Sequence, residues 1–235
     1  MLKIFSDYPF LFTNVSSVVL LTLAARKRLN PQQNSLVFLS GLTNLPCFPF
    51  VMFLQGNYWS PVRLGNRMLG IEDVLCTYAV AAGAWFVVSH RSRSIKPEVS
   101  SLYVVIRRLG IVGTASILPY LIFYFLGMDS MLALILTCLI VGIALFIRLP
   151  HLRKIALEGL WKFPVLYLVV VKIYFSIWPD FVYQWNVSSP LGRLLWGIPI
   201  GEIIWSILFG LYWPLFMGYV YNIQISKSRD SSRFS

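Results

Sequence analysis

Residues 130–148 read SMLALILTCLIVGIALFIR, an apolar stretch with no charge before its closing arginine. About 20 such residues cross the hydrocarbon core of a bilayer as a helix, so the stretch reads as a transmembrane span. The same reading extends outward to apolar runs near 109–127 and 157–178, and then to 8–25, 35–55, 70–89 and 194–221. Seven spans account for most of the 235 residues and leave only short loops. Composition agrees: 57% of residues are hydrophobic and 12% charged, against about 25% charged in a soluble domain. The expected fold is an all-α integral membrane protein of about seven transmembrane helices, with the cell membrane as its expected location.

The net charge of +11 would raise the question of nucleic acid in a soluble chain. Here the placement of the charge excludes that partner. Arg26, Lys27 and Arg28 follow the first run; Arg91, Arg93 and Lys96 follow the third; Arg107 and Arg108 precede the fourth. Arg148, Arg153, Lys154 and Lys162 surround the fifth-to-sixth connection, and Lys227, Arg229 and Arg233 lie in the tail. The opposite side holds Lys3, Arg63, Arg67 and Arg193, and Lys172 lies within the sixth run. Basic residues concentrate on the cytoplasmic side of membrane proteins, which puts the N-terminus outside and the C-terminus in the cytoplasm. The start lacks the basic region of a cleaved signal peptide.

Cys47, Cys76 and Cys138 all fall within apolar runs without metal-site spacing and read as small buried apolar residues. His90 and His151 lie singly in basic loops. Tyr58, Trp59, Trp178, Trp185, Trp196 and Tyr221 cluster near run ends, where an interfacial aromatic belt is expected. Asn186-Val187-Ser188 has the form of a glycosylation sequon.

Two stretches repeat. Asn57-Tyr58-Trp59-Ser60-Pro61 leads to Gly70-Ile71-Glu72-Asp73, and Asn186-Val187-Ser188-Ser189-Pro190 leads to Pro199-Ile200-Gly201-Glu202. A shift of 129 superposes Asn57 on Asn186, Pro61 on Pro190 and Asp73 on Glu202 without a gap. Runs one to three then match runs five to seven, and the fourth is a connector. With one helix between them, the halves share an orientation, which makes a parallel 3+1+3 pseudo-repeat about an axis along the membrane normal. The expected units are 1–100, the connecting helix 101–129, the second three-helix unit 130–224 and a basic cytoplasmic tail 225–235.

Glu72, Asp73 and Glu202 open two apolar runs. A carboxylate within a membrane segment is expensive and marks a functional site by default. The competing reading is helix capping, because acids near a helix N-terminus are favoured by its dipole. The repeat puts Asp73 and Glu202 at equivalent depths, where they could face one another. Asp180 is a weaker candidate in the outer loop, and Lys172 either pairs with one of the acids or snorkels to the outer interface.

A Trp-containing loop, a proline and an acidic Pro-x-Glu-Glu-like helix start, occurring twice, resemble the membrane-embedded lycopene cyclases, in their fused two-subunit form. The resemblance covers runs two, three, six and seven. Gly70 and Asp73 stand where the family has Pro and Glu in the first copy, and Gly201 replaces the first Glu of the second. The resemblance implies non-redox, proton-initiated cyclisation of a linear polyene such as lycopene, with general acid and base carboxyls. It implies catalytic roles for Glu72, Asp73 and Glu202, with Glu202 and Glu72 as the pair and Asp73 in support. Trp59, Trp85, Trp196 and Trp205 are candidate aromatic walls for a cationic intermediate. No segment reads as a strand and no G-x-G-x-x-G fingerprint occurs, so no dinucleotide is expected; no cofactor or metal is implied. Partners would be the polyene, the bilayer and a homo- or hetero-oligomer. Three other readings stand beside this one. They are a partner-dependent or non-catalytic cyclase-like subunit, a small 3+1+3 transporter, and a retinal-binding seven-helix protein. The last would need a lysine in the seventh run, which has none.

Overall fold

The computed structural model describes residues 7–89, 93–98 and 101–227. Lys3, His90, Arg91, Arg229 and Arg233, used above, and the tail beyond residue 227 lie outside the described residues. Among the described residues seven helices are long and apolar enough to cross a membrane: α1 Pro9–Arg28, α2 Pro31–Leu54, α3 Ile71–Val88, α4 Leu102–Phe125, α5 Ser130–Arg148, α6 Pro150–Ile177 and α7 Ile200–Tyr221. The chain thus has the make-up of an all-α integral membrane protein, in which each span satisfies its own backbone hydrogen bonds.

Caps set the helix ends more sharply than hydropathy does. Asn30 caps α2 through the Gln33 amide, with Pro31 at the first turn, so the helix starts four residues before the apolar run. Ser101 caps α4 through the Val104 amide, and the helix starts seven residues before its run. Asp129 accepts from the Met131 and Leu132 amides and starts α5. The seventh run begins as a hairpin rather than a helix. Leu194–Leu195 pairs antiparallel with Ile198–Pro199 around Trp196 and Gly197, both at positive φ, and α7 starts at Ile200. A two-residue turn with two positive φ values is the favoured hairpin geometry.

Helices α3 and α7 form the centre. Helix α3 packs on α1 and α2, α7 packs on α5 and α6, and the two central helices touch. Helix α6 also reaches α3, and α4 lies outside against α5 and α7. Polar side chains tie the centre together: the Trp213 indole donates to Ser40 Oγ at 2.7 Å, and Ser40 donates to the Ala81 carbonyl at 2.8 Å. The Asn44 amide donates to the Thr77 carbonyl at 2.9 Å. Helices α6 and α7 meet at Gly159 and Gly210, where a Cβ on either would collide with the other's carbonyl oxygen. Such small-residue contacts let membrane helices approach closely.

The sequence pattern implies no strands, but short antiparallel pairs form outside the spans. Arg93–Pro97, after α3, pairs antiparallel with Ile223–Lys227, after α7. At the opposite end Trp59 bridges Trp185, the Ser60 amide donates to the Gln184 carbonyl, and the Asn186 amide donates to the Tyr58 carbonyl, both at 2.8 Å. These pairings are too short for hydropathy to register. They join the loops that lead into and out of the two central helices.

Candidate functional site

A cavity of about 540 Å³ lies within the bundle, lined by residues of all seven helices and the Trp59–Trp185 loops. Its wall is overwhelmingly apolar and aromatic, with Glu202 as its one carboxyl among the described residues. Glu202 occupies the third position of α7, but it does not turn back to cap that helix. Its Oε1 accepts from Tyr58 Oη at 3.1 Å and Trp185 Nε1 at 2.9 Å, and its Oε2 accepts from Tyr167 Oη at 2.5 Å. A carboxylate offers about four acceptor sites, so three donors leave it one to exchange with a ligand. The paired loops bring Tyr58 and Trp185 to it, and α6 brings Tyr167. Burial, and the Glu202 carboxylate beside it, push the Tyr58 phenol well above its usual range, so Tyr58 stays a neutral donor.

The other two carboxylates are placed differently. Asp73 does what an acid at a helix start does, and more. Its Oδ2 accepts from the Gly70 amide at 2.8 Å, and both oxygens take a two-pronged bond from Arg63, at 2.7 Å and 2.9 Å. Asp73 and Arg63 are both buried, and neither lines the cavity. Arg63 also lies 5.9 Å from the Trp59 ring. Glu72 is buried too. Its Oε1 accepts from the Leu64 amide at 2.7 Å and its Oε2 has no partner. It lines a separate recess with Phe48, Leu64, Arg67 and Val74. The structure therefore does not bring Glu72 and Asp73 to the cavity that Glu202 lines.

Of the four tryptophans, Trp59 and Trp205 line the cavity. Trp205 packs against Tyr167 at 5.5 Å and Phe209 at 5.0 Å, and Trp59 against Phe10 at 4.8 Å. Trp85 is buried in the core but absent from the lining. Trp196, at the positive-φ hairpin turn, points outward and is 78% exposed. The Lys172 ammonium donates to the Trp196 carbonyl at 2.8 Å rather than to an acid. Asp180 is exposed in the loop after α6. Cys47, Cys76 and Cys138 are free thiols, and all three line the cavity. Among the described residues no group of His, Cys, Asp and Glu could hold a metal ion.

Sequence reasoning missed Tyr58, Tyr167, Trp185 and Arg63. Tyr58, in the first repeated loop, and Trp185, just before the second, fit an interfacial belt equally well, and Arg63 fits an ordinary outer-loop charge. Tyr167 lies mid-run with nothing to mark it. Compared with protein-family models, curated proteins and solved structures, the chain matches none.

Proposed function

We propose that the chain is a membrane-embedded cyclase of the lycopene-cyclase kind, closing a ring at the end of a linear carotenoid or related terpenoid polyene without net redox change. The observation that carries this reading is Glu202, one carboxyl held by three fixed donors on the wall of an otherwise apolar, aromatic cavity.

The chemistry needs one such group. Glu202 in its acid form gives its proton to the terminal double bond. The π electrons of a nearby double bond close on the resulting cation and form the ring bond. The carboxylate left behind takes a proton from a ring carbon, which restores a double bond and the acid. Protons and electrons balance, so no second carboxyl and no oxidant is required. Tyr58, Tyr167 and Trp185 hold the carboxylate through the cationic stage, when its charge is needed, as preorganised donors do. The faces of Trp59, Trp205 and Tyr167 stabilise the cation, and the apolar wall keeps out the water that would trap it. Asp73 supports the site from outside, by holding Arg63 and the start of α3. The scarcity of polar groups on the wall weighs against a transporter of hydrophilic cargo.

The 3+1+3 repeat and the orientation belong to the same reading. Helices α3 and α7 start 129 residues apart, at Ile71 and Ile200. The segments before them pair at one end of the bundle, and those after them pair antiparallel at the other. Both pairings are what a two-fold axis between the central helices would produce. The loop bridge joins Trp59 to Trp185, so the second loop has three more residues before its helix than the first. The basic clusters support an orientation with the N-terminus and Glu202 on the outer side.

Pigment analysis of membranes from lycopene-accumulating bacteria expressing the chain tests the reading. Cyclised carotene is expected with the wild type and lost with Glu202→Gln. Unchanged lycopene at normal protein levels would reject lycopene as substrate. Ring formation restored only by a co-expressed second subunit would make the chain a partner-dependent one.

A further inference from the structure

The cavity is long. Its lining runs along α1 from Phe10 to Ala24, about 21 Å at 1.5 Å per residue. Along α7 it runs from Glu202 to Trp213, about 17 Å by the same rise. Glu202 sits at one end of this length and leaves most of it to an extended apolar chain.

The walls differ on the two sides. Helices α1 and α6 are joined where Tyr174 Oη meets Ser16 Oγ at 2.7 Å and Ser17 Oγ at 3.1 Å. Beyond that contact, Leu20, Leu21 and Ala24 of α1 and Leu166 and Val170 of α6 line the cavity. Leu20 lines it while 62% exposed, so the cavity reaches the lipid-facing surface between these helices. Helix α1 carries no charge before Arg26, so nothing there repels hydrocarbon.

Under the repeat, the equivalent gap is the one between α5 and α2, and there α4 stands in the way. Its Ser116, Ile117 and Tyr120 line the cavity. The Tyr120 ring packs on Phe50 at 5.7 Å and on Phe53 at 5.8 Å, and Tyr120 is buried. Ser116 Oγ pins the helix to Tyr212 Oη at 2.9 Å.

We propose that the passage between α1 and α6 is the mouth through which a linear apolar chain enters from the bilayer, and that α4 is the plug closing the pseudo-equivalent passage. One chain end at a time then reaches Glu202, while the rest of the chain stays between α1 and α6 or in the lipid. The chemistry at Glu202 and the equivalence of the gaps rest on the function proposed above. Access itself can be read separately.

The test uses the full chain in phosphatidylcholine vesicles and an eicosane chain bearing a terminal aliphatic diazirine. On illumination the probe loses nitrogen and inserts into nearby C–H bonds, and mass spectrometry maps the sites. Label is expected at Trp205 and Phe209 inside the cavity, competed away by excess lycopene, and at lipid-facing Leu23, where lycopene does not compete. The double variant Leu20→Trp/Leu166→Trp should lose the inner label and keep that at Leu23. Adding Tyr120→Ala should restore the inner label by unplugging the second passage. No inner label in the wild type, or inner label unchanged by the double variant, would overturn the mouth. Failure of Tyr120→Ala to restore it would overturn the plug. Mouth-dependent inner labelling without any ring formation would sink the cyclase reading and leave the mouth standing.

Discussion

Glu202 is one carboxyl held by three donors, Tyr58, Tyr167 and Trp185. Replacing the acid by its amide removes the proton that is given and regained. General acid–base groups contribute roughly 10²- to 10⁴-fold, so Glu202→Gln should lower ring formation by about that much with little change in thermal stability. Tyr167→Phe removes one hydrogen bond to a charged group, worth about 1.5–3 kcal/mol. It should slow turnover by roughly ten- to a hundredfold, as measured by single-turnover kinetics in vesicles. Arg63 answers a different question. Taking one partner from a buried ion pair costs about 3–5 kcal/mol, so Arg63→Met should lower the unfolding temperature sharply. Arg63→Met/Asp73→Asn should recover part of that loss, because no buried charge is then stranded. Glu202 stood out in the sequence because a carboxylate in an apolar run is costly. Its partners did not, because a tyrosine or tryptophan near a membrane surface already has an ordinary reason to be there. Asp73 is equivalent to Glu202 by spacing, and Glu72 stands beside it at the start of the same run. The Arg63 fork and the Leu64 amide, which divert them, come from a loop whose path no periodicity reveals.

At the scale of elements, seven apolar runs were legible because hydrocarbon admits a lone span only as a helix. Their ends were not, because a proline or an asparagine cap lies in the polar flank that hydropathy discards. The run at 194–221 misled at its start: Leu194 and Leu195 are apolar, yet they pair in a hairpin ahead of α7. The contact between Gly159 and Gly210 belongs at this scale. A leucine at Gly210 would force α6 away from α7 and draw Tyr167 from Glu202. Gly210→Leu should therefore lower both the thermal stability in detergent and the ring-forming activity. Leucine at Ile204, which is partly exposed on the same helix, should leave both near wild type.

For the whole molecule, the arrangement around α3 and α7 explains why the fourth helix is the odd one. Helices α1 and α2 pack on α3, α5 and α6 pack on α7, and α4 lies outside against α5 and α7. Its single mouth and its plug could not be read from the sequence, since every run looked equally apolar. The halves hold one another through α3 with α6 and α7, and through the Ser40–Trp213 bond. A chain cut between Met128 and Asp129 keeps the α5 cap with α5 and breaks no helix. The two fragments, co-expressed, should copurify and form rings, whereas neither should do so alone. Failure to copurify would show that the covalent link through α4, rather than the interface between halves, holds the bundle together.

The central claim is that Glu202 alone gives and regains the proton, with no cofactor. The most direct measurement reconstitutes the protein in vesicles with lycopene, equilibrates it in deuterated buffer without added flavin or nucleotide, and weighs the first-turnover product. The account predicts a cyclised product carrying one solvent deuterium per ring formed, and none from Glu202→Gln. Ring formation that survives Glu202→Gln, or that appears only when a redox cofactor is supplied, would contradict it.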